Sequence, residues 1–298
     1  MAQAQMMTQM AEKQGFIAAL DQSGGSTPGA LKQYGIPETA YSGDAEMFKL
    51  VHEMRVRIMT APAFSGDKVI GAILFERTMD GEAEGTPVPS YLWDKRGVVP
   101  FLKIDKGLAE EKDGVSLMKP IPDLDPLLAR AVKLNVFGTK MRSTISTASR
   151  SGIAAVVSQQ FELAAQIGNH GLIPIIEPEV SIKSSSKQEA EAILRDEITK
   201  KLDSLPADRK VMLKLTIPTV PDFYLPLMKH DKVVRVVALS GGYSRDEASR
   251  LLAGNHGMIA SFSRALAEGL QNDMSAQQFD DRLAQSVNEI YVASIKKN

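Results

Sequence analysis

The sequence contains no cysteine, which excludes disulfide bonds, a thiolate metal site and a cysteine nucleophile. It also contains no apolar run long enough to cross a membrane, and its start, MAQAQMMTQMAEKQ, lacks the apolar segment of a signal peptide. A formal net charge of -1 gives no general attraction to nucleic acid or to an anionic membrane. We therefore expect a cytoplasmic protein that binds neither nucleic acid nor membrane.

What the sequence does contain is a series of eight short apolar runs, each followed by loop and helix signals. The runs cover residues 16–22, 69–76, 98–104, 136–141, 172–180, 211–217, 233–241 and 258–263. The S-x-x-E/Q pattern of a helix capping box begins at Ser186, Ser244 and Ser275. Strands that alternate with helices predict an α/β fold, and the count of eight favours a (β/α)8 TIM barrel over an open doubly wound sheet. We expect a single domain over residues 1–298, with residues 1–14 as an N-terminal extension or helix.

Lys214 interrupts the sixth apolar run, KVMLKLTIPT, at a place where a charge is costly. Side chains alternate along a strand, so Val211, Leu213 and Leu215 share one apolar face while Lys214 lies on the other with Met212. The uniformly apolar face should pack under the helices. This alternation therefore points Lys214 into the barrel, near the C-terminal end of its strand.

The same alternation places six other charged residues on inward faces near the ends of their strands. They are Asp21, Lys103, Lys140, Arg142, Glu177 and Glu179. In a closed barrel these residues and Lys214 converge at one mouth, where barrel enzymes carry their chemistry. An interlocked set of structural salt bridges is the alternative. Because the desolvation of buried charges rivals their Coulomb attraction, we interpret the group as a functional site.

Two loops at strand ends have the composition of anion-binding sites. The seventh strand ends in Ser240, Gly241 and Gly242 before a helix start, where small residues let backbone N–H groups approach an anion. The eighth ends with Ser261 and Ser263 followed by Arg264, and the first strand ends in a loop that contains Ser23 and Ser26. The loops after strands seven and eight often bind phosphate in this fold. Anion sites on both sides of a lysine indicate a bisphosphorylated substrate, although Arg264 could also be an ordinary surface arginine.

The group of charges predicts a chemistry for Lys214. An amine that is held away from water beside other cations loses proton affinity, and its neutral form attacks a ketone to give a carbinolamine and then an iminium. The iminium is an electron sink that allows a neighbouring C–C bond to break. Glu177 and Asp21 could move the protons, while Lys140 and Arg142 supply a positive field for the substrate oxygens.

Seven motifs resemble, in order, those of the class I fructose-bisphosphate aldolases, and the similarity is closest to their short bacterial form. The motifs are ALDQSGGS, FLKIDKG, GTKMR, PIIEPE, MLKLTIP, LSGG and SFSRAL, which together span residues 16–266. The resemblance implies an aldehyde-lyase that cleaves fructose 1,6-bisphosphate in glycolysis and gluconeogenesis. It implies that Lys214 forms the Schiff base, that Glu177 is the principal acid and base, and that Asp21 handles the proton of the C4 hydroxyl.

The resemblance also assigns the residues that bind the sugar phosphate. Lys140 and Arg142 match the substrate-binding cation pair of the family, and Glu179 matches its companion carboxylate. Ser240, Gly241 and Arg264 match the phosphate site nearest the ketone, which we extend to Gly242 and Ser261, and Ser23, Ser26 and Lys103 match the other end. No metal and no cofactor is implied, and a monomer or a homo-oligomer is left open.

The sequence departs from the family pattern at two places. Vertebrate members end in a tail tyrosine that assists proton exchange, whereas Tyr291 falls in the predicted last helix of the barrel. The basic pair that follows the first serine loop in those members is replaced here by Gly29 and Ala30, with Lys32 nearby. The segment from residue 77 to residue 97, which holds the only tryptophan, should contain a helix or have a functional role.

Three other functions compete with this interpretation. A metal-dependent aldolase would need a histidine cluster, but the four histidines lie outside the strand-end motifs, at His52, His170, His230 and His256. A Schiff-base aldolase for another ketose phosphate, such as tagatose 1,6-bisphosphate, or an enzyme like transaldolase or deoxyribose-phosphate aldolase, would keep the same lysine. A catalytically silent barrel would bind sugar phosphates without forming a covalent adduct.

Overall fold

Eight parallel strands lie side by side in chain order in the computed structural model, which describes residues 2–298. Each strand begins within one of the eight apolar runs, and all pairs along the sheet are parallel. The strands are β1 (Phe16–Leu20), β2 (Val69–Leu74), β3 (Val99–Lys103), β4 (Gly138–Ile145), β5 (Ile173–Val180), β6 (Val211–Thr216), β7 (Val233–Leu239) and β8 (Ile259–Ala260). The Ala19 N–H donates to the carbonyl of Phe262 at 3.1 Å and joins the first strand to the end of the last. The prediction of a (β/α)8 barrel is confirmed.

Helices surround the strands and fill the connections between them. They are α1 (Ala2–Glu12), α2 (Thr27–Gln33), α3 (Gly43–Thr60), α4 (Glu76–Met79), α5 (Val88–Ser90), α6 (Leu124–Lys133), α7 (Arg150–Asn169), α8 (Lys187–Ser204), α9 (Leu225–Met228), α10 (Arg245–Ala253), α11 (Arg264–Ala267) and α12 (Ala276–Ile295). A two-residue strand, Val115–Ser116, pairs antiparallel with the end of β4. No helix within residues 2–298 is both long and apolar enough to cross a membrane.

The three predicted capping boxes have different outcomes. Ser275 forms the complete box with Gln278 at the start of α12. Ser244 accepts a hydrogen bond from the N–H of Glu247 at the start of α10. The prediction at Ser186 is wrong, because its hydroxyl accepts the N–H of Ala148 instead and ties α8 to the loop before α7.

The two faces of the strands pack in two separate apolar clusters. Inside the barrel, Phe101 packs edge-on against Phe137 at 5.4 Å between ring centroids, in one cluster with Ile175 and Met212. Outside the barrel, residues of the opposite parity such as Leu213 pack under the helices. The interior is therefore a filled core rather than a channel, as expected for this fold.

Helix α1 closes the N-terminal end of the barrel. Met6 and Met10 are fully buried in the inner cluster, and the Gln9 side chain donates to the carbonyls of Ile70 and Gly97 at 2.8 Å each. Residues 2–12 thus form a helix that packs into the barrel, which leaves the C-terminal ends of the strands for a site.

The segment from residue 77 to residue 97 contains helical turns, as predicted. It holds most of α4, a two-stranded ribbon of Glu82–Ala83 and Thr86–Pro87, helix α5, and a π-helical turn at Tyr91–Lys95. Trp93 packs against the inner cluster, and its carbonyl accepts the N–H of Gly97, whose own carbonyl accepts a hydrogen bond from Gln9 of α1. The tryptophan therefore lies at the end of the barrel opposite to the C-terminal ends of the strands.

Candidate active site

A cavity of about 720 Å³ opens at the C-terminal ends of the strands. Thirteen of the fourteen site residues predicted from the sequence line it: Asp21, Ser23, Ser26, Lys103, Lys140, Arg142, Glu177, Glu179, Lys214, Ser240, Gly241, Ser261 and Arg264. Gly242, which follows Gly241 in the loop after β7, is not among the lining residues. The closed barrel thus brings together residues that are spread over 244 positions of the chain, from Asp21 to Arg264 inclusive.

Lys214 lies on the inward face of β6, as the alternation predicts. Its neighbour Met212 belongs to the inner cluster, whereas Leu213 and Leu215 pack in the outer core. The side chain is only 4% exposed, and its Nζ lies 3.0 Å from Oε1 of Glu177 on the neighbouring strand β5. A buried amine in contact with a carboxylate has an immediate proton acceptor.

Lys140 on β4 stands at the centre of the buried charges. Its Nζ lies 2.6 Å from Oδ2 of Asp21, 3.0 Å from Oε2 of Glu177 and 3.9 Å from Oδ2 of Asp105. Burial by itself lowers the pKa of Lys140, but attraction to Asp21 and to the other two carboxylates outweighs burial and raises it well above its usual value. Lys140 therefore stays charged and holds the two proposed proton carriers on either side of it.

Asp21, at the end of β1, is held in its ionised form. Burial alone raises the pKa of this carboxyl group, yet the charges of Lys140 and Lys214 hold it well below the usual range. Its Oδ2 contacts Lys140, so the negative charge is paired at the floor of the cavity.

Asp105 belongs to the site, although the sequence analysis did not select it. Lys103 Nζ donates both to the Asp105 carbonyl and to its Oδ1, at 2.7 Å each. Lys103, which we expected to bind phosphate, is therefore held by a carboxylate of its own segment. The motif FLKIDKG contained the signal, because Lys103 and Asp105 have the same parity.

Arg142 and Glu179 form a second ion pair nearer the opening of the cavity. The Nε of Arg142 donates to Oε2 of Glu179 at 2.6 Å across β4 and β5. Both side chains are partly exposed, in contrast to Lys140 and Glu177 one step deeper. The pair places a cation and a carboxylate where the hydroxyl groups of a ligand could reach them.

Two polar side chains replace backbone pairing between β5 and β6 beside this site. Backbone pairing between these two strands is limited to Ile175 with Met212 and Ile176 with Leu213. The N–H of Glu177 donates at 2.8 Å to Oε1 of Gln160, a fully buried residue of α7. Nearer the mouth, the hydroxyl of Thr216 donates to the carbonyl of Val180 at 2.7 Å. Sequence reasoning missed Gln160, because a glutamine on a helix carries no signal of this role, and it assigned no role to Thr216, although this residue has the parity of Lys214.

The loops after β7 and β8 meet at the predicted anion site. Gly241 and Gly242 have φ angles of 59° and 115°, which side chains rarely adopt. A Cβ atom added to Gly242 would lie 3.6 Å from the guanidinium of Arg264. Ser261 is buried, and its hydroxyl makes no hydrogen bond within the described part of the chain. The glycine backbone after β7, the hydroxyl of Ser261 and the guanidinium of Arg264 thus lie together at one end of the cavity.

The serine loop after β1 is partly occupied by its own hydrogen bonds. The Ser26 hydroxyl donates to the Ser23 carbonyl at 3.0 Å and accepts the Ser23 N–H at 3.1 Å. Gly29 and Ala30 line the cavity next to this loop, whereas Lys32 is exposed and is not among the lining residues. Lys32 therefore does not replace the missing basic pair.

The histidines and Tyr291 lie away from the cavity. His170, His230 and His256 pair with carboxylates outside it, and His52 lies beside the carbonyl of Glu82. Within residues 2–298, no three histidine or acidic side chains are grouped so that they could hold a metal ion. Tyr291 packs under Lys68, which precedes β2, and so lies near the opposite end of the barrel.

Comparison with known proteins agrees with this geometry. The family model described as fructose-bisphosphate aldolase class-I, Glycolytic, matches residues 4–220 of this chain. That match includes Asp21, Lys140, Glu177 and Lys214.

Solved structures share the fold at low sequence identity. One is the fructose-bisphosphate aldolase from Plasmodium falciparum in complex with TRAP and a small-molecule inhibitor, with a TM-score of 0.73 and 20% identity over 100% of this chain and 95% of that chain. Another is a protein from Corynebacterium glutamicum, with a TM-score of 0.56 and 14% identity over 98% of this chain and 92% of that chain. These likenesses concern the fold alone.

Proposed function

This chain belongs to the class I fructose-bisphosphate aldolase family, and from that premise we propose that it cleaves fructose 1,6-bisphosphate reversibly to dihydroxyacetone phosphate and glyceraldehyde 3-phosphate. The observation that carries the proposal is the contact of the Lys214 amine with Glu177 at 3.0 Å, beside Lys140 and Asp21. We assign the chain to the short bacterial form, acting in the cytoplasm in glycolysis and gluconeogenesis.

The reaction begins at the amine of Lys214. Lys214 gives a proton to Glu177, and the neutral amine attacks C2 of the ketose. The carbinolamine that forms loses its hydroxyl group as water when Glu177 returns a proton to it, and an iminium remains. Lys140 is in contact with the other oxygen of Glu177 and keeps the carboxylate oriented through both proton transfers.

Cleavage then uses the carboxylate on the other side of Lys140. Asp21 takes the proton of the C4 hydroxyl, O4 becomes the carbonyl oxygen of the leaving aldehyde, and the C3–C4 electron pair moves into the iminium to give an enamine. Asp21 is a weak base because its pKa is low. Lys140 therefore assists removal of the proton by stabilising the negative charge that develops on O4. Lys140, which contacts both carboxylates, passes a proton to Glu177 and takes the one held by Asp21. Glu177 then delivers this proton to C3 of the enamine, since Tyr291 is not among the residues that line the cavity, and attack of water on the resulting iminium releases the ketone and frees Lys214.

The two ends of the cavity take the two phosphate groups. Ser240, Gly241 and Gly242 present backbone N–H groups, and Ser261 and Arg264 a hydroxyl and a cation, to the phosphate nearest the ketone. At the other end the second phosphate meets Ser23, Ser26 and Lys103. Arg142 and Glu179 orient the hydroxyls between them. The proposal needs no metal and no cofactor.

Reduction by borohydride in the presence of dihydroxyacetone phosphate tests the proposal. Hydride converts the iminium into a stable secondary amine, so peptide mass mapping should find the adduct on Lys214. Lys214→Met should fold with an unchanged circular dichroism spectrum and give no adduct, whereas Lys106→Met, a change of an exposed lysine, should label normally. An active wild-type protein that is not labelled at Lys214 contradicts the mechanism, and a folded protein without either activity or adduct indicates the catalytically silent barrel.

One observation favours a second substrate of the same class. Gly29 and Ala30 add no charged group to Lys103 at the end of the cavity that takes the second phosphate, so this end constrains the ketose less than a basic pair would. Tagatose 1,6-bisphosphate, which differs from fructose 1,6-bisphosphate in configuration at C4, is therefore the second candidate. The ratio of kcat/KM for the two ketoses decides between them, and a ratio above about 10 in favour of the tagatose ester would reassign the substrate.

A further inference from the structure

The largest fully buried side chain in the part of the chain that the structure describes is an arginine. Arg55, in the second half of α3, has 0% exposure and does not line the cavity. Burial of a charge is unfavourable unless the charge is paired, yet the hydrogen-bond acceptors of Arg55 are neutral. They are the Thr78 hydroxyl at 2.8 Å, the Gln22 carbonyl, and at 3.5 Å the amide oxygen of the Gln22 side chain. An arginine in this setting needs an explanation beyond packing.

The Gln22 carbonyl that Arg55 contacts belongs to the residue after Asp21. Gln22 also extends in the other direction, since its side-chain amide donates to the hydroxyl of Ser263 in the loop after β8. Arg55, Gln22 and Ser263 therefore form a chain of hydrogen bonds that crosses the end of β1. It links helix α3 to Ser263, the residue that precedes Arg264 and helix α11.

These hydrogen bonds lie at the junction of β8 and β1, where the barrel has little backbone pairing, although β1 is fully paired with β2 on its other side. Strand β8 is only two residues long, and β1 is joined to the end of it by the hydrogen bond from Ala19 to Phe262. Side chains must therefore help to hold the end of β1 in place. Asp21 follows the last residue of β1 and directly precedes Gln22, and its Oδ2 lies 2.6 Å from Nζ of Lys140.

Aromatic rings fix the direction of the guanidinium. Arg55 lies over the ring of Phe75, 5.8 Å from its centroid, and Phe75 stacks on Phe48 at 5.7 Å. The outer face of Phe48 is covered by Arg77 at 4.3 Å. This layered contact between α3 and α4 leaves Arg55 little freedom to turn away from Gln22.

We propose that Arg55 is a positioning residue for Asp21: it holds the Gln22 carbonyl, and so the end of β1, in the geometry that C–C cleavage requires. This inference rests on the proposed function, in which Asp21 takes the proton of the C4 hydroxyl. The charged groups that face Asp21 are Lys140, Lys214 and Lys103 from the strands and Arg55 from the helix side. Burial lowers the pKa of Arg55 to about 10, so the guanidinium remains charged at neutral pH.

A comparison of Schiff-base formation with C–C cleavage distinguishes a positioning role of Arg55 from a general loss of structure. Schiff-base formation with dihydroxyacetone phosphate needs Lys214 and Glu177 but breaks no C–C bond, whereas cleavage of fructose 1,6-bisphosphate also needs Asp21. In Arg55→Met we expect borohydride labelling of Lys214 at a rate within about threefold of the wild type. We expect kcat for cleavage to fall about 10²-fold, which is the effect of a displacement of a catalytic group by about 1 Å.

Three matched variants control the experiment. Arg55→Lys keeps the charge and should recover part of the cleavage rate. Thr78→Val removes only the hydroxyl that orients Arg55 and should lower the ratio of cleavage to labelling by severalfold, which keeps the inference testable if Arg55→Met does not fold. Arg96 also binds backbone carbonyls, those of Phe64, Ala61 and Pro62, but near the other end of the barrel, so Arg96→Met should leave the ratio unchanged.

The outcomes distinguish this inference from the proposed function. A wild-type protein that cleaves the ketose and is labelled at Lys214 supports the proposed function, whatever the rates of the Arg55 variants are. Equal losses of labelling and cleavage in Arg55→Met, or an unchanged ratio in both Arg55→Met and Thr78→Val, would overturn the positioning role.

Discussion

The Nζ atom of Lys214 lies 3.0 Å from Oε1 of Glu177, across the boundary between strands β6 and β5. The other carboxylate oxygen of Glu177 lies 3.0 Å from Lys140, so one carboxylate connects two buried lysines. A proton that leaves Lys214 therefore has an acceptor in direct contact. Lys140 restrains the second oxygen, which keeps the first directed at Lys214.

Glu177→Gln should separate binding from chemistry. The amide has the size of the carboxylate and retains the backbone bond to Gln160, but it accepts no proton at neutral pH. We expect kcat for cleavage of fructose 1,6-bisphosphate to fall about 10²- to 10⁴-fold, the usual contribution of a general acid or base, with KM changed by less than about threefold. Steady-state kinetics and the rate of borohydride labelling measure both effects.

A matched control for this variant is Glu76→Gln. Glu76 pairs with Lys106 and Arg130 in a more exposed network and is not among the residues that line the cavity. Its kcat should stay within about twofold of the wild type. If Glu177→Gln labels and cleaves as fast as this control, Glu177 is not the acid and base.

Lys140→Met should destabilise the fold in a pH-dependent manner. It leaves three buried carboxylates without their shared cation, at a cost of about 3–5 kcal/mol in the free energy of unfolding near pH 7. The folded pKa of Asp21 is depressed, so its stabilising contribution is present above the unfolded pKa of about 3.9 and disappears as the pH falls through the lower folded value. The folded pKa of Lys140 is raised, so its contribution is present below about pH 10.4 and disappears only as the pH rises further.

The difference between the wild type and Lys140→Met should therefore be nearly constant from about pH 6 to pH 9 and shrink below about pH 5, as Asp21 of the variant takes up a proton. Urea unfolding at several pH values measures it. Lys106→Met breaks a half-exposed pair with Glu76 and should cost less than about 1 kcal/mol. An equal cost for the two variants, or a difference that grows towards acid pH, contradicts this account of the charges.

Alternation along the strands was enough to predict the inward-facing part of the site. Lys214, Glu177 and Lys140 follow from parity, because a strand in a filled barrel has only two faces and one of them must be apolar. The alternation also contained Asp105, which has the parity of Lys103 and lies one residue past the apolar run 98–104, but we did not select it.

Residues that act from the helices could not be predicted in this way. Gln160 and Arg55 contact the site through backbone atoms of Glu177 and Gln22, which lie far from them in sequence. Their roles depend on which helix packs over which strand end, and no local pattern encodes that packing. Capping boxes are more local, yet Ser186 shows that a nearby N–H can take the hydroxyl that the pattern assigns to a helix start.

Removal of divalent metal ions should leave the activity intact. In the proposed mechanism the electron sink is the iminium on Lys214, and the buried carboxylates are already neutralised by Lys140 and Lys103. After dialysis against EDTA, kcat for cleavage should stay within about twofold of its initial value, and added Zn²⁺ should not increase it. A loss of activity that a divalent metal restores would favour the metal-dependent aldolase instead.

Gly241→Ala should weaken the binding of phosphate with little effect on Schiff-base chemistry. Gly241 has a φ of 59°, where an L side chain costs about 1–2 kcal/mol, and an added Cβ would lie 2.8 Å from Cγ2 of Ile182 in the loop after β5. The loop must shift to relieve both, and its N–H groups then lose their alignment towards the anion. We expect KM for fructose 1,6-bisphosphate to rise about tenfold, while kcat changes by less than about threefold.

Gly85→Ala is the control that distinguishes the effect of backbone strain from the effect of a residue's position in the phosphate-binding loop. Gly85 has a φ of 71°, but an added Cβ meets nothing within 4 Å and the residue is remote from the cavity lining. The Gly85→Ala protein should lose about as much stability as Gly241→Ala, without any change in KM. The double variant Gly241→Ala with Ile182→Ala removes the contact but not the backbone strain. Its KM should therefore fall from that of Gly241→Ala only part of the way to the wild-type value. A KM for Gly241→Ala equal to that of Gly85→Ala would exclude the loop after β7 from phosphate binding, and the first phosphate would then have to be held by Arg264 and Ser261 alone.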